Sequence, residues 1–137
     1  MGNYLRRLKG STSRDEFKFW HKQLATDLYA MDVDLALVSK VVPGIVAILD
    51  YKQPYDRVTF AEVLGYNHFL NVGIPVYLLR GHAPEFSELT VEEYMGGDWK
   101  PDPPRCETRV VLEKASPEEF LEWERKLRAA REGGQVA

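Results

Sequence analysis

Apolar side chains recur along this chain at two kinds of spacing, and the switches between them mark out its elements. Phe17, Trp20, Leu24, Leu28 and Met31 are spaced by three and four residues, which places them on one face of a helix. Ser13-Arg14-Asp15-Glu16 in front of them has the form of a capping box, with Ser13 as N-cap and Glu16 at N3. A helix is predicted from Ser13 to residues 29–31. Residues 32–38 read as a strand, and the turn after it ends in Pro43-Gly44. Ile45 to Leu49 are five apolar residues in a row, the mark of a central strand buried on both faces. This strand, residues 45–51, returns antiparallel to the first.

Residues 53–58 form a polar loop containing Pro54. Thr59 and Glu62 make a second capping box. Phe60, Val63, Leu64, Phe69 and Leu70 render the helix that follows apolar over much of its girth, so it is expected to be largely covered. Gly73 ends it. Residues 74–79 are a second apolar strand, and a strand-helix-strand unit of this length predicts a right-handed crossover with the two strands parallel. From Arg80 the periodicity lapses; His82, Pro84 and the Gly- and Pro-rich residues 95–104 predict loop. Residues 108–113 read as an edge strand. Ser116-Pro117-Glu118-Glu119 opens a third helix, with Phe120, Trp123, Leu127 and Ala130 as its apolar stripe and Gly133-Gly134 as its end.

The predicted class is therefore α/β, a mixed sheet flanked by helices. No internal repeat and no dividing linker is visible. The expected organisation is a flexible basic tail over residues 1–12, with Arg6, Arg7 and Lys9, a single domain over 13–132, and a short tail over 133–137. A chain of 137 residues suits one core. Apolar residues at 45% and charged residues at 28% place it among soluble globular proteins. No apolar run approaches the roughly 20 residues of a membrane span. The first residues are too polar for a secretory signal, and myristoylation at Gly2 has no second signal behind it. The expectation is a cytoplasmic, intracellular protein.

A net charge of −3 argues against a protein held to nucleic acid by bulk charge, but leaves room for a local basic patch beside carboxylates gathered at a metal. The single cysteine, Cys106, excludes an internal disulfide and a cysteine-cluster metal site. His21, His68 and His82 lack zinc-ligand spacing.

The candidate chemistry lies at the end of the central strand. Asp50 and Lys52 are two residues apart and so share a face, where apolar burial is expected to stop and solvent to begin. With the hairpin turn centred near Val42, Asp34 falls opposite Asp50, at a Cβ separation of about 5 Å. Asp32 falls on the same face further out and is the alternative to Asp34. Two carboxylates with access to water suit Mg²⁺ or Mn²⁺. A lysine beside them can position a water or stabilise charge on a phosphate. The plainer reading is a strand-end ion pair of Asp50 with Lys52, worth at most about 1 kcal/mol if exposed. The tripeptide acid-x-Lys recurs at Glu16–Lys18, Asp98–Lys100 and Glu124–Lys126, so context rather than the tripeptide singles out Asp50. Tyr4, Tyr94 and Trp99 are candidates for base stacking or for ordinary packing.

Over residues 13–80 the order of elements, with Asp34 on the first strand and Asp50-Tyr51-Lys52 on the second, resembles the PD-(D/E)XK nuclease superfamily. The resemblance implies a restriction-endonuclease-like αββαβ core, with the last strand and helix as additions. It implies a metal site of Asp34, Asp50 and the main chain of Tyr51, with Lys52 assisting the attacking water. Glu16 matches a helical glutamate that joins such sites, and Asn67 or His68 matches a polar residue on the second helix. Val33 stands where the family motif has proline. The implied activity is Mg²⁺- or Mn²⁺-dependent hydrolysis of DNA phosphodiesters. The alternative is an inactive module of the same fold that binds nucleic acid or a protein. So small a chain offers little surface for gripping a duplex, so a homodimer or a place as an accessory subunit in a larger DNA-processing complex is expected.

Overall fold

Val46, Ala47, Ile48 and Leu49 are each 2% exposed or less, and the strand that carries them, β2 (Gly44–Lys52), lies inside a five-stranded sheet. The computed structural model describes residues 13–24, 29–81 and 88–136. The chain divides into two units, Met1–Ala30 and Met31–Ala137. The first carries helix α1 (Ser13–Leu24). The second carries β1 (Leu35–Ser39), β2, helix α2 (Phe60–Asn71), β3 (Val76–Gly81), β4 (Leu89–Asp98), β5 (Arg105–Ala115) and helix α3 (Pro117–Val136). The strands lie in the order β1-β2-β3-β4-β5. The β2–β3 pair is parallel, as the crossover requires, and the other pairs are antiparallel. Among the described residues no helix is long and apolar enough to cross a membrane.

Alternation along β2 sends Ile48 to one face of the sheet and Ala47 and Leu49 to the other. Ile48 meets Val63 and Tyr66 of α2, together with Val76, Leu78 and Tyr94. Ala47 and Leu49 meet Leu37, Tyr77 and Val91, with Phe120, Trp123 and Leu127 of α3 packed against them. Burial of each large side chain contributes roughly 1.5–3 kcal/mol, so β2 is the layer to which both helices are fastened. The caps follow the sequence. Thr59 and Glu62 form the reciprocal capping box of α2, and Ser116 and Glu119 exchange the same pair of bonds at α3. Gly73, at φ 83°, takes the left-handed conformation that closes a helix.

Several expectations are corrected. Ile45 is 41% exposed, because it pairs with Val38 beside the hairpin turn. The first strand starts at Leu35, so Asp34 sits at its entrance rather than within it. Ser13 is already inside α1 rather than its N-cap. Met31 is not on the first helix; it lies against α2, where a side chain at Gly65 would collide with its sulfur. Helix α3 runs through Gly133-Gly134 to Val136, replacing the expected tail; glycine costs a helix only about 1 kcal/mol, too little to stop one already four turns long.

Two further strand boundaries also move. Residues 95–104 are not wholly loop. Residues 95–98 belong to β4, and β5 begins at Arg105, earlier than predicted. The β4 strand escaped notice because Glu92, Glu93, Gly96 and Gly97 are poor strand formers, and because register shifts between Leu89 and Gly96 break its alternation. Leu28, His82, Pro84 and residues 1–12, with Gly2, Tyr4 and the basic positions, lie outside the described residues.

Asn67 explains how α2 grips β4 at this irregular point. Its amide nitrogen donates to the Gly97 carbonyl at 2.9 Å, and its oxygen accepts from the Gly97 N–H at 3.2 Å and from the Tyr94 hydroxyl at 2.7 Å. The side chain acts as a surrogate strand neighbour for β4. Gly97 has to be glycine here, because a Cβ would stand 2.7 Å from the Arg105 carbonyl. Asn67→Ala is expected to cost about 1–3 kcal/mol by leaving these groups unpaired. Its urea midpoint should fall with an unchanged m-value, and an unshifted midpoint would refute the clamp.

Candidate active site

The register of the β1–β2 hairpin decides where the acids go. Leu35 pairs with Leu49, and one step further Asp34 faces Asp50. Each aspartate then accepts from a backbone N–H of the facing strand end. The Asp34 N–H donates to Asp50 Oδ1 at 2.7 Å, and the Tyr51 N–H donates to Asp34 Oδ2 at 2.8 Å. Each carboxylate thus caps the end of the ladder and is aimed by it. The bulge between Leu37 and Val38 is confined to the turn end, so it does not disturb this register. Asp32 lies two residues upstream and is exposed.

Solvent does not begin at Asp50, as the sequence suggested. Asp50 is 2% exposed and Lys52 9%, whereas Asp34 is exposed. The reason is α2, which runs back along β2. Two residues of strand advance about 6.6 Å, and four residues of helix advance about 6 Å. An i, i+4 pair on the helix can therefore serve an i, i+2 pair on the strand. Tyr66 donates its hydroxyl to Asp50 Oδ2 at 2.5 Å. Glu62, one turn earlier, takes both of its carboxylate oxygens to the Lys52 amine. The ion pair of Lys52 is with Glu62 and not with Asp50. Glu62 also keeps its bond to the Thr59 N–H, so a helix cap doubles as the lysine's counterion.

Burial raises the pKa of Asp50 above the usual carboxylate range. The Tyr66 hydroxyl and the Asp34 N–H pull it back down, while the Asp34 and Glu62 carboxylates push it further up. Tyr66 is driven upward as well, by burial first and by the Asp50 carboxylate next, so its hydroxyl stays a donor.

The other candidates are placed as follows. Glu16 is on the first turn of α1, in the N-terminal unit. Asn67 is spent on β4 and His68 is exposed, so neither reaches Asp50. Tyr94 is buried edge-on to Tyr66, and Trp99 stands edge-on to Phe60. Glu62 and Tyr66 are the residues the sequence reading missed as site members. Their signal was present as two polar-tipped side chains four apart, on one face of the helix.

Mg²⁺ is commonly held through one or two carboxylates, the remaining positions being water or substrate phosphate. The all-oxygen pair of Asp34 and Asp50 fits that chemistry, since an ionised carboxylate with one bond on each oxygen keeps acceptor capacity. Among the described residues, no group of three or more His, Cys, Asp and Glu side chains forms a metal cage. No protein-family model matches the chain, and no curated protein or solved structure does.

Because Asp50 has a raised pKa in the folded chain, its contribution to stability is complete below the unfolded value of 3.8 and is lost as pH rises through the folded value. Asp50→Asn keeps the shape and the acceptor for Asp34 without the charge. In metal-free buffer this variant should have a higher urea midpoint than the parent at pH 7, and the gap should close as pH falls toward 4. A variant less stable than the parent at pH 7 would show that the ionised carboxylate is instead a net stabiliser.

Proposed function

We propose that the chain is a divalent-metal-dependent DNA nuclease with a restriction-endonuclease-like core. The observation that carries this reading is the meeting of Asp34 and Asp50 at the end of the β1–β2 hairpin, with Lys52 on the same face. Taking an acid and an amine out of water costs several kcal/mol per ion before partners are counted. A fold that needs only a strand end has no use for that expense, and clusters of perturbed titratable groups concentrate at functional sites.

The reaction is hydrolysis. A water oxygen bonds to phosphorus, the phosphorus–oxygen bond to the leaving group breaks, and the leaving oxygen takes up a proton. Asp34, Asp50 and the main-chain carbonyl of Tyr51 are the groups that would hold Mg²⁺ or Mn²⁺. When bound, the cation supplies neutralisation of phosphate charge and a water of lowered pKa. The Tyr66 hydroxyl and the Asp34 N–H keep the Asp50 carboxylate in one orientation. Lys52 has three donors on its amine; with two on the Glu62 carboxylate, the third is left to steer a water or a phosphate oxygen. Helix α2 covers the inner side of the group and keeps bulk water away from it.

One observation favours a second reading, an inactive module that binds nucleic acid or a protein. Both Asp50 oxygens and the Lys52 amine are already engaged by protein groups. Cleavage of single-stranded, duplex and branched DNA with Mg²⁺ or Mn²⁺ separates the two. The nuclease reading expects turnover that falls by about 100-fold or more in Asp34→Ala, Asp50→Ala and Lys52→Ala, with DNA binding retained. DNA binding without turnover on any substrate would move the assignment to the inactive module. Turnover indifferent to all three substitutions would remove the site.

A further inference from the structure

Tyr55 is 94% exposed, the most exposed of the large apolar and aromatic side chains described. An aromatic ring normally gains by leaving water, and a slack loop would let it fold down. This loop is not slack. The Arg80 guanidinium donates to the carbonyls of Gln53 at 3.0 Å and Asp56 at 2.8 Å, while its Nε bonds Glu92 at 3.2 Å. The Asp56 N–H donates back to the Gln53 carbonyl at 3.0 Å, and the Gln53 N–H to Asp56 Oδ2 at 3.3 Å. Both ends of the turn over residues 53–56 are tied to each other and to β3, and the ring of Tyr55 is held out between them.

The turn begins one residue after Lys52, and Arg80 pairs in register with Lys52. Its far side, Asp56 to Val58, walls a cavity of about 880 Å³ that Arg80 and the β4–β5 hairpin complete, a volume within the usual range for bound small ligands. Arg57 and Arg105 line it beside Asp56, Asp98 and Glu107, and Arg57, two residues after Tyr55, is exposed. A rigid aromatic face with an exposed arginine two residues on matches an unpaired base followed by its phosphate. A duplex keeps its bases stacked away from such a ring, and this chain has no surplus of positive charge to hold one by phosphates alone.

We infer that the turn over residues 53–57 is a contact for single-stranded DNA, in which Tyr55 stacks on an unpaired base flanking the scissile phosphate and Arg57 receives the neighbouring phosphate. The inference rests on the nuclease reading for the scissile position. It is tested by binding without metal, so that the two can fail separately. Anisotropy of a labelled oligo-dT, and of a duplex of equal length, is measured in EDTA for the full chain.

The parent is expected to prefer the single strand. Tyr55→Ala should weaken that binding by about tenfold, Tyr55→Phe should restore it, and the weak duplex affinity should be the same in all three. Circular dichroism of these variants should match the parent, since the ring packs against nothing. Unchanged single-strand affinity in Tyr55→Ala, a preference for duplex, or no binding of oligo-dT by the parent overturns the inference. The first of these results is also what a protein-binding tyrosine predicts. Metal-dependent cleavage that survives alongside any of them leaves the nuclease reading standing. Tyr55-dependent binding with no cleavage under any metal does the reverse.

Discussion

An acid and an amine two residues apart have lost their water at the end of a buried strand, and everything around them follows from replacing it. The replacement is geometric before it is chemical. Tyr66 and Glu62 stand one helical turn apart and match the advance of two strand residues, so one face of α2 answers Asp50 and Lys52 in order. Sliding the helix by one residue would turn both side chains away, leaving the Lys52 amine without its counterion and Asp50 without one of its two donors, and breaking a buried pair costs about 4 kcal/mol. The position of α2 on the sheet is thus set by polar matching as much as by Val63 and the underside of Tyr66.

The same matching explains why the site is built where the crossover begins. β2 leaves the sheet at Lys52, and α2 returns over the strand it has just left before β3 runs parallel beside it. The crossover brings the first turns of the helix over the last residues of the strand. Side chains from both converge there with no long-range search. Asp34 joins from the other side through the hairpin ladder, and its backbone and carboxylate are both used. The proposed metal site and its positioning residues are therefore drawn from three consecutive elements whose mutual placement is local.

The β4–β5 hairpin is a second layer of support. It has its own irregularities, and α2 meets them with Asn67 as well as with the edge-on contact of Tyr66 and Tyr94. Arg80 does the equivalent work on the other side, fixing the turn after Lys52 through three groups of that turn and of β4. Both residues present a planar group to irregular backbone, the Asn67 amide donating once and accepting twice and the Arg80 guanidinium only donating. A lysine in place of Arg80 has the charge without the fork.

What the amino-acid order determined by itself was the local structure that short-range physics controls. The capping boxes at Thr59 and Ser116, the apolar run of β2, the parallel return of β3 and the facing of Asp34 with Asp50 all depend on residues near in sequence or on a single hairpin count. The tertiary structure decided what long-range contacts control. Burial of Asp50 and Lys52 depends on a helix folding back over them, and periodicity cannot report that. The existence of β4 depends on neighbours on both sides that satisfy its glycines and glutamates. The partner of Lys52 was readable only as a helix cap until the crossover brought Glu62 to the amine, because charge pairing across elements is set by distance in space and leaves no spacing in the chain.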